Sequence, residues 1–243
     1  MAFDPSKFKA PAAKKLPVVL LLDISASMSG EKNNHLYNSV QVMLNTFNKA
    51  RLQEKMIDIA IITFGLDVVV HTPYTSVKDL LANRLTKFSP DGNTPMGTAL
   101  AMAKAMIEDK DTTPSNVYRP VVVMVSDGQP NDDYKGPLNE FISTGRTAKC
   151  QRFAVAIGND ADKELLKSFC SVDENLFYAD QASDIVDAFK TISMSVSSRA
   201  SSVNPNQFAS RQSASVVSQA MASSSSAGTS TPVDDEDDDD VLF

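Results

Sequence analysis

Leu20-Leu21-Leu22-Asp23-Ile24-Ser25-Ala26-Ser27-Met28-Ser29-Gly30 places an acid and alternating hydroxyls directly after an unbroken aliphatic run. The run reads as a strand over 17–22, and a strand without polar alternation is one buried on both faces of a parallel sheet. Open α/β sheets bind ligands just past the carboxyl ends of such strands. In extended chain, residues two apart point the same way, so Asp23, Ser25 and Ser27 can converge on one point. Oxygen donors without sulfur or imidazole select a hard cation. Mg2+ takes about six oxygens near about 2.1 Å and keeps several of its waters, so few carboxylates and several hydroxyls suit it, with Mn2+ as the substitute.

Working outward, strand-like and helix-like stretches alternate. A helical pattern over 34–52 carries Leu36, Val40, Leu44 and Phe47 on one face. Strands at 57–64 and 68–71 are joined by Gly65-Leu66-Asp67, a link long enough for a hairpin and too short for a crossover helix. Helices follow at 77–84 and 97–108, the second with Leu100, Ala103, Met106 and Ile107 on its apolar face. Residues 120–125 repeat the unalternating apolar pattern of a buried strand. A mixed segment over 137–150, a strand at 152–157, a helix at 162–169, a strand at 176–179 and a helix from 182 to about Met194 complete the body. The expectation is a doubly wound α/β fold with a mostly parallel central sheet and one antiparallel edge strand.

Two further oxygen-rich segments fall where that fold would bring them to the same rim. One is Gly92-Asn93-Thr94-Pro95-Met96-Gly97, a loop running into a helix; the other is Ser126-Asp127-Gly128, at the end of the 120–125 strand. A lone Asp-x-Ser-x-Ser after a strand is more often a helix cap or turn former than a site. Three separate segments in this order favour a site. Gly92 and Gly97 read as positions of backbone geometry, and Asp132 and Asp133 as candidates to orient the ligands from behind or else as solvated acids.

Together these residues resemble the von Willebrand factor A-type (vWA) domain. Asp23-x-Ser25-x-Ser27, then Thr94, then Asp127-Gly128 match its metal-ion-dependent adhesion site at all five ligand positions, over a resemblance covering roughly residues 16–196. The resemblance implies that Ser25, Ser27 and Thr94 bind the cation directly and that Asp23 and Asp127 act mainly through water. A cation so held stays electrophilic, and a partner's Asp or Glu completes its shell: binding, not catalysis. The run over 119–133, with Ser126-Asp127-Gly128-Gln129-Pro130-Asn131-Asp132-Asp133, resembles the bacterial tellurium-resistance-associated, TerY-like branch. That resemblance implies protein kinase and protein phosphatase partners in stress or phage-response systems.

The rival reading is an Mg2+-dependent phosphatase of haloacid-dehalogenase type, whose nucleophilic Asp would be Asp23. That chemistry uses a second acid two residues later, where this chain has Ser25.

Of the 243 residues, 30 are acidic and 23 basic. Seven of the acids lie in 234–240, so the body is neutral and offers no electrostatic footprint for nucleic acid. No apolar run approaches the roughly 20 residues of a membrane span. Lys14 and Lys15 precede an apolar run too short for a secretory signal, and the expected location is cytoplasmic. Cys150 and Cys170 lack metal or redox spacing and read as buried free thiols; His35 and His71 read as surface positions. Residues 1–15 read as a flexible leader, 16–196 as the domain, and 197–243 as a Ser-rich disordered tail, with a weak helix open at 212–222. Its acidic tip, followed by Val241-Leu242-Phe243, serves solubility, recruits a partner, or returns a carboxylate to the domain's own metal site.

Overall fold

The computed structural model describes residues 14–50 and 56–208. The leader through residue 13, residues 51 and 52 of the first expected helix, and the tail from 209 onward, acidic tip included, lie outside the described residues.

Among the described residues six strands form one sheet. They are β1 (Leu16–Asp23), β2 (Ile57–Phe64), β3 (Val68–Ser76), β4 (Val121–Ser126), β5 (Gln151–Ile157) and β6 (Leu176–Ala179), in the spatial order β3-β2-β1-β4-β5-β6. Every neighbouring pair is parallel except β2–β3, the expected antiparallel edge. Among the described residues six α-helices accompany the sheet: α1 (Glu31–Lys49), α2 (Val77–Asn83), α3 (Met96–Glu108), α4 (Lys135–Ser143), α5 (Lys163–Phe169) and α6 (Ala182–Ala200).

The helices divide between two faces because β1 and β4 are buried at every position and apolar up to their last residues, Asp23 and Ser126. Leu16, Val18, Leu20 and Leu22 pack with Leu36, Val40, Met43, Leu44 and Phe47 of α1 and with Ile185, Phe189 and Ile192 of α6. Val19 and Leu21 face the other way, with Val122 and Met124, onto Leu100 and Ala103 of α3, Phe141 of α4 and Leu166 and Phe169 of α5. At about 1.5–3 kcal/mol for each fully buried aliphatic side chain, β1 alone ties the two layers together. The chain leaves β1 for α1 on one face and β4 for α4 on the other, so a crevice opens between the carboxyl ends of β1 and β4.

Three elements depart from the sequence expectation. β3 runs to Ser76 instead of residue 71, past Pro73; proline survives in a strand that pairs on one side, and the register shift opposite Ile61 absorbs it. The mixed segment contains α4, whose buried face is only Leu138 and Phe141, too short a stripe to show periodicity.

α6 continues to Ala200, past the expected domain edge at residue 196, since Val196 and Ala200 extend its buried stripe. The residues beyond, expected to be disordered, are ordered as far as Phe208 by Arg199. Its buried guanidinium donates to the carbonyls of Pro205 and Arg119 and to Gln151 Oε1, and lies 4.5 Å from the Phe208 ring centre. Asn206 Oδ1 also accepts from the Arg119 N–H at 2.8 Å. A single cation satisfying several carbonyls supplies order that composition does not reveal.

Candidate metal centre

Asp23 is the last residue of β1 and Ser126 the last of β4, and both are fully buried. Their adjacency follows from the parallel β1–β4 pairing, in which Leu22 lies opposite Val125. Ser126 Oγ donates to Asp23 Oδ2 at 2.5 Å, and the Ser25 N–H donates to Asp23 Oδ1 at 2.8 Å. Both carboxylate oxygens are thereby held, and the second bond turns the chain into the short 3-10 turn Ala26–Met28.

The turn carries the hydroxyls to the crevice. Ser25 Oγ lies 3.0 Å from Ser27 Oγ, and Ser27 Oγ donates to Asp127 Oδ1 at 2.8 Å. This last contact joins residues 100 apart in sequence. The other oxygen of Asp127 accepts from Lys32 Nζ, in the first turn of α1, at 2.5 Å.

The Thr94 loop is fastened to both of the others. The Ala26 N–H donates to the Gly92 carbonyl at 3.1 Å, the Asp91 N–H to the Ile24 carbonyl at 2.9 Å, and the Asn131 N–H to the Thr94 carbonyl at 3.1 Å. Thr94 is buried, and its hydroxyl faces Gly128: a β-carbon built there would lie 3.5 Å from Thr94 Oγ1. The two glycines singled out from sequence hold this approach. Gly92 has φ +75° and a β-carbon on it would meet the Leu66 backbone at 2.4 Å; on Gly97 it would meet the Asp133 carbonyl oxygen at 2.2 Å.

The five residues picked out from sequence, Asp23, Ser25, Ser27, Thr94 and Asp127, therefore sit on three segments at one rim. Burial pushes the Asp23 carboxyl above its ordinary range; hydrogen bonds from Ser126 and Ser25 act against this, and the nearby charge of Asp127 adds to it. The two buried carboxylates are met by one cation among the described residues, Lys32 on Asp127, which leaves Asp23 without a charged partner there, and a bound cation would relieve that condition. Among the described residues no three His, Cys, Asp or Glu side chains gather as a metal-binding group, so a centre here rests on hydroxyl oxygens together with two carboxylates. Such a donor set fits a hard divalent ion that keeps part of its hydration.

Two functional neighbours escaped the sequence reading. Ser126 stands within the segment quoted for Asp127, yet its role as donor to Asp23 depends on the strand pairing. Lys32 carries no sequence signal, because it reaches Asp127 across 95 residues. Asp132 has a definite place: it accepts from the N–H groups of Gly97 and Thr98 and from Thr98 Oγ1, capping α3 directly behind the Thr94 loop. Asp133 instead accepts from the Lys135 N–H, at the start of α4.

The histidines fall on α1 and β3 but are half-buried. His71 packs edge-on against Phe88 at 5.2 Å and bonds Thr72, and burial lowers its pKa. Cys150 and Cys170 are buried, and neither is in a disulfide.

Solved structures share this fold at low identity. Proximal thread matrix protein 1 from the mussel byssus aligns with 74% of this chain at 15% identity and a TM-score of 0.61, and this chain spans 47% of its length. A second structure of that mussel protein, at 16% identity and a TM-score of 0.60, has a zinc-occupied MIDAS motif. The vWF domain of the type V pili tip protein Mfa5 from Porphyromonas gingivalis aligns with 75% of this chain and 95% of its own at 12% identity and a TM-score of 0.61. The pilus adhesin SpaC from Lactobacillus rhamnosus GG, in an open conformation, aligns with 78% of this chain and 31% of its own at 13% identity and a TM-score of 0.63. No curated protein matches the sequence. Among protein families, the von Willebrand factor type A domain matches residues 18–191, most of the chain, and the protein belongs to that family.

Proposed function

We propose that this domain is a non-enzymatic interaction module that grips a partner's Asp or Glu carboxylate through a divalent cation held as a metal-ion-dependent adhesion site. The observation that carries the reading is the Ser25–Ser27–Asp127 chain of contacts, closed across 100 residues, with Asp23 anchored beneath it. Ser25, Ser27 and Thr94 would supply direct oxygen ligands, and Asp23 and Asp127 would orient bound water. The cation supplies a Lewis-acidic position that an acidic side chain can complete. Mg2+ is the expected ion and Mn2+ its substitute; the zinc found in the mussel protein's MIDAS motif supports divalent occupancy of sites of this kind.

The phosphatase alternative finds no support. Asp23 is fully buried with both oxygens engaged, which leaves it unable to attack phosphorus, and Ser25 stands where that chemistry needs an acid. Among the described residues no helix is long and apolar enough to cross a membrane. Two buried cysteines kept as thiols support a cytoplasmic setting. The 119–133 run supports the TerY-like assignment, with kinase and phosphatase partners in a bacterial stress response as its corollary.

The test is isothermal titration of Mg2+ and Mn2+ into the wild-type protein and Ser27→Ala, with and without a short acidic peptide. Binding to the wild type that the peptide tightens, and that Ser27→Ala weakens at least about tenfold, is the expected result. No binding of either metal, peptide included, would overturn the proposal.

A further inference from the structure

α1 opens with Glu31 and then Lys32. A cation in the first turn of a helix lies against the positive end of the helix dipole. An ammonium held against a carboxylate with no exposed side-chain surface also gives up part of its own hydration. Lys32 nevertheless reaches Asp127 Oδ2 at 2.5 Å, its own side chain still 36% exposed and that of Asp127 0%. Among the described residues it is the cation paired with the site's carboxylates, since Asp23 is held by Ser25 and Ser126 alone.

Both oxygens of Asp127 are consequently in use, Oδ1 by the Ser27 hydroxyl and Oδ2 by the ammonium. A divalent ion drawing on Ser27 and Asp127, directly or through water, needs those lone pairs and brings two positive charges up to a third. We propose that Lys32 is the site's internal counter-ion: it neutralises Asp127 in the metal-free protein and must swing out for a divalent cation to bind. A lysine stem with four rotatable carbons and an exposed flank allows that movement. The inference rests on the metal-binding reading above and adds a built-in competitor to it. By linkage, Lys32–Asp127 pairing and metal binding weaken each other to the same extent.

The experiment compares wild type, Lys32→Met and Lys32→Gln by thermal unfolding in EDTA and by titration with Mg2+ and Mn2+. Methionine keeps an apolar stem and removes the charge; glutamine gives the same comparison if the methionine variant folds poorly. The neutral variants are expected to melt lower than wild type without metal, to bind metal about tenfold tighter, and to recover the difference in melting temperature at saturating metal. A variant that melts lower but binds metal with unchanged or weaker affinity would show an ordinary structural ion pair and overturn this proposal while leaving the metal site standing. If neither wild type nor variants bind either metal, with acidic peptide also present, the metal reading fails and this one with it.

Discussion

Replacing Ser126 with alanine isolates the contact on which the site's geometry depends. Ser126 and Asp23 are both fully buried, so water cannot replace the lost hydroxyl at Asp23 Oδ2. A hydrogen bond to a neutral partner contributes about 1 kcal/mol, and one to a charged partner about 1.5–3 kcal/mol. Ser126→Ala should therefore cost about 2 kcal/mol at neutral pH in EDTA, a fall of about 4–8 °C in melting temperature for a domain of this size. The sign of the pH dependence follows from Asp23. Its folded pKa is raised by burial and restrained by the Ser126 and Ser25 hydrogen bonds. Removing Ser126 raises it further, so the variant should lose ground against wild type as pH climbs through the wild type's raised folded value towards the variant's still higher one. Urea unfolding across pH 4 to 8 (about one unit per step), with matched m-values, measures the difference. A penalty below about 0.5 kcal/mol, flat with pH, would refute the claim that Ser126 holds an ionisable Asp23 in place.

Other expectations can be checked with the same assays. Gly97→Ala should destabilise by about 3 kcal/mol, because its β-carbon would press on the Asp133 backbone at 2.2 Å, whereas Gly136→Ala in α4, with open space around it, should gain about 0.5–1 kcal/mol. Truncation after Val196 removes the Arg199 anchor and should cost at least about 1.5–3 kcal/mol in urea unfolding, while truncation after Phe208 keeps Arg199 and its described contacts. Burial pushes Cys150 from 9.0 to about 12 and Tyr74 from 10.0 to about 12. Both raised pKa values contribute stability that is complete below their unfolded values and lost as pH rises through the folded ones, so wild-type stability should fall between pH 9 and about 12. Cys150→Ala with Tyr74→Phe should flatten that decline.

The sheet was legible because its strands are short apolar runs whose lack of alternation can be met only by cover on both faces. β6 was expected over the residues it occupies, and β1, β4 and β5 within a residue at each end. α4 and the end of α6 were harder: one buries two large side chains, and the other is followed by residues held by an arginine whose carbonyl partners lie at Pro205 and far away at Arg119. β3 passes through Pro73, which reads as a stop in sequence and is tolerated at an edge.

At the rim, residue type and spacing brought out Asp23, Ser25 and Ser27 on the expectation of extended chain; in the structure β1 ends at Asp23 and Ser27 reaches the crevice from the 3-10 turn Ala26–Met28 instead. Thr94 and Asp127 came from order along the chain together with a family resemblance. The sequence by itself determined the fold class, the end of the sheet where the crevice opens and the oxygen character of the donors there. Tertiary structure alone decided that Ser126 reaches back to Asp23, that Asp132 caps α3 and that Lys32 faces Asp127. These contacts join residues 34 to 103 positions apart, and no local periodicity encodes a distance set by which strands become neighbours.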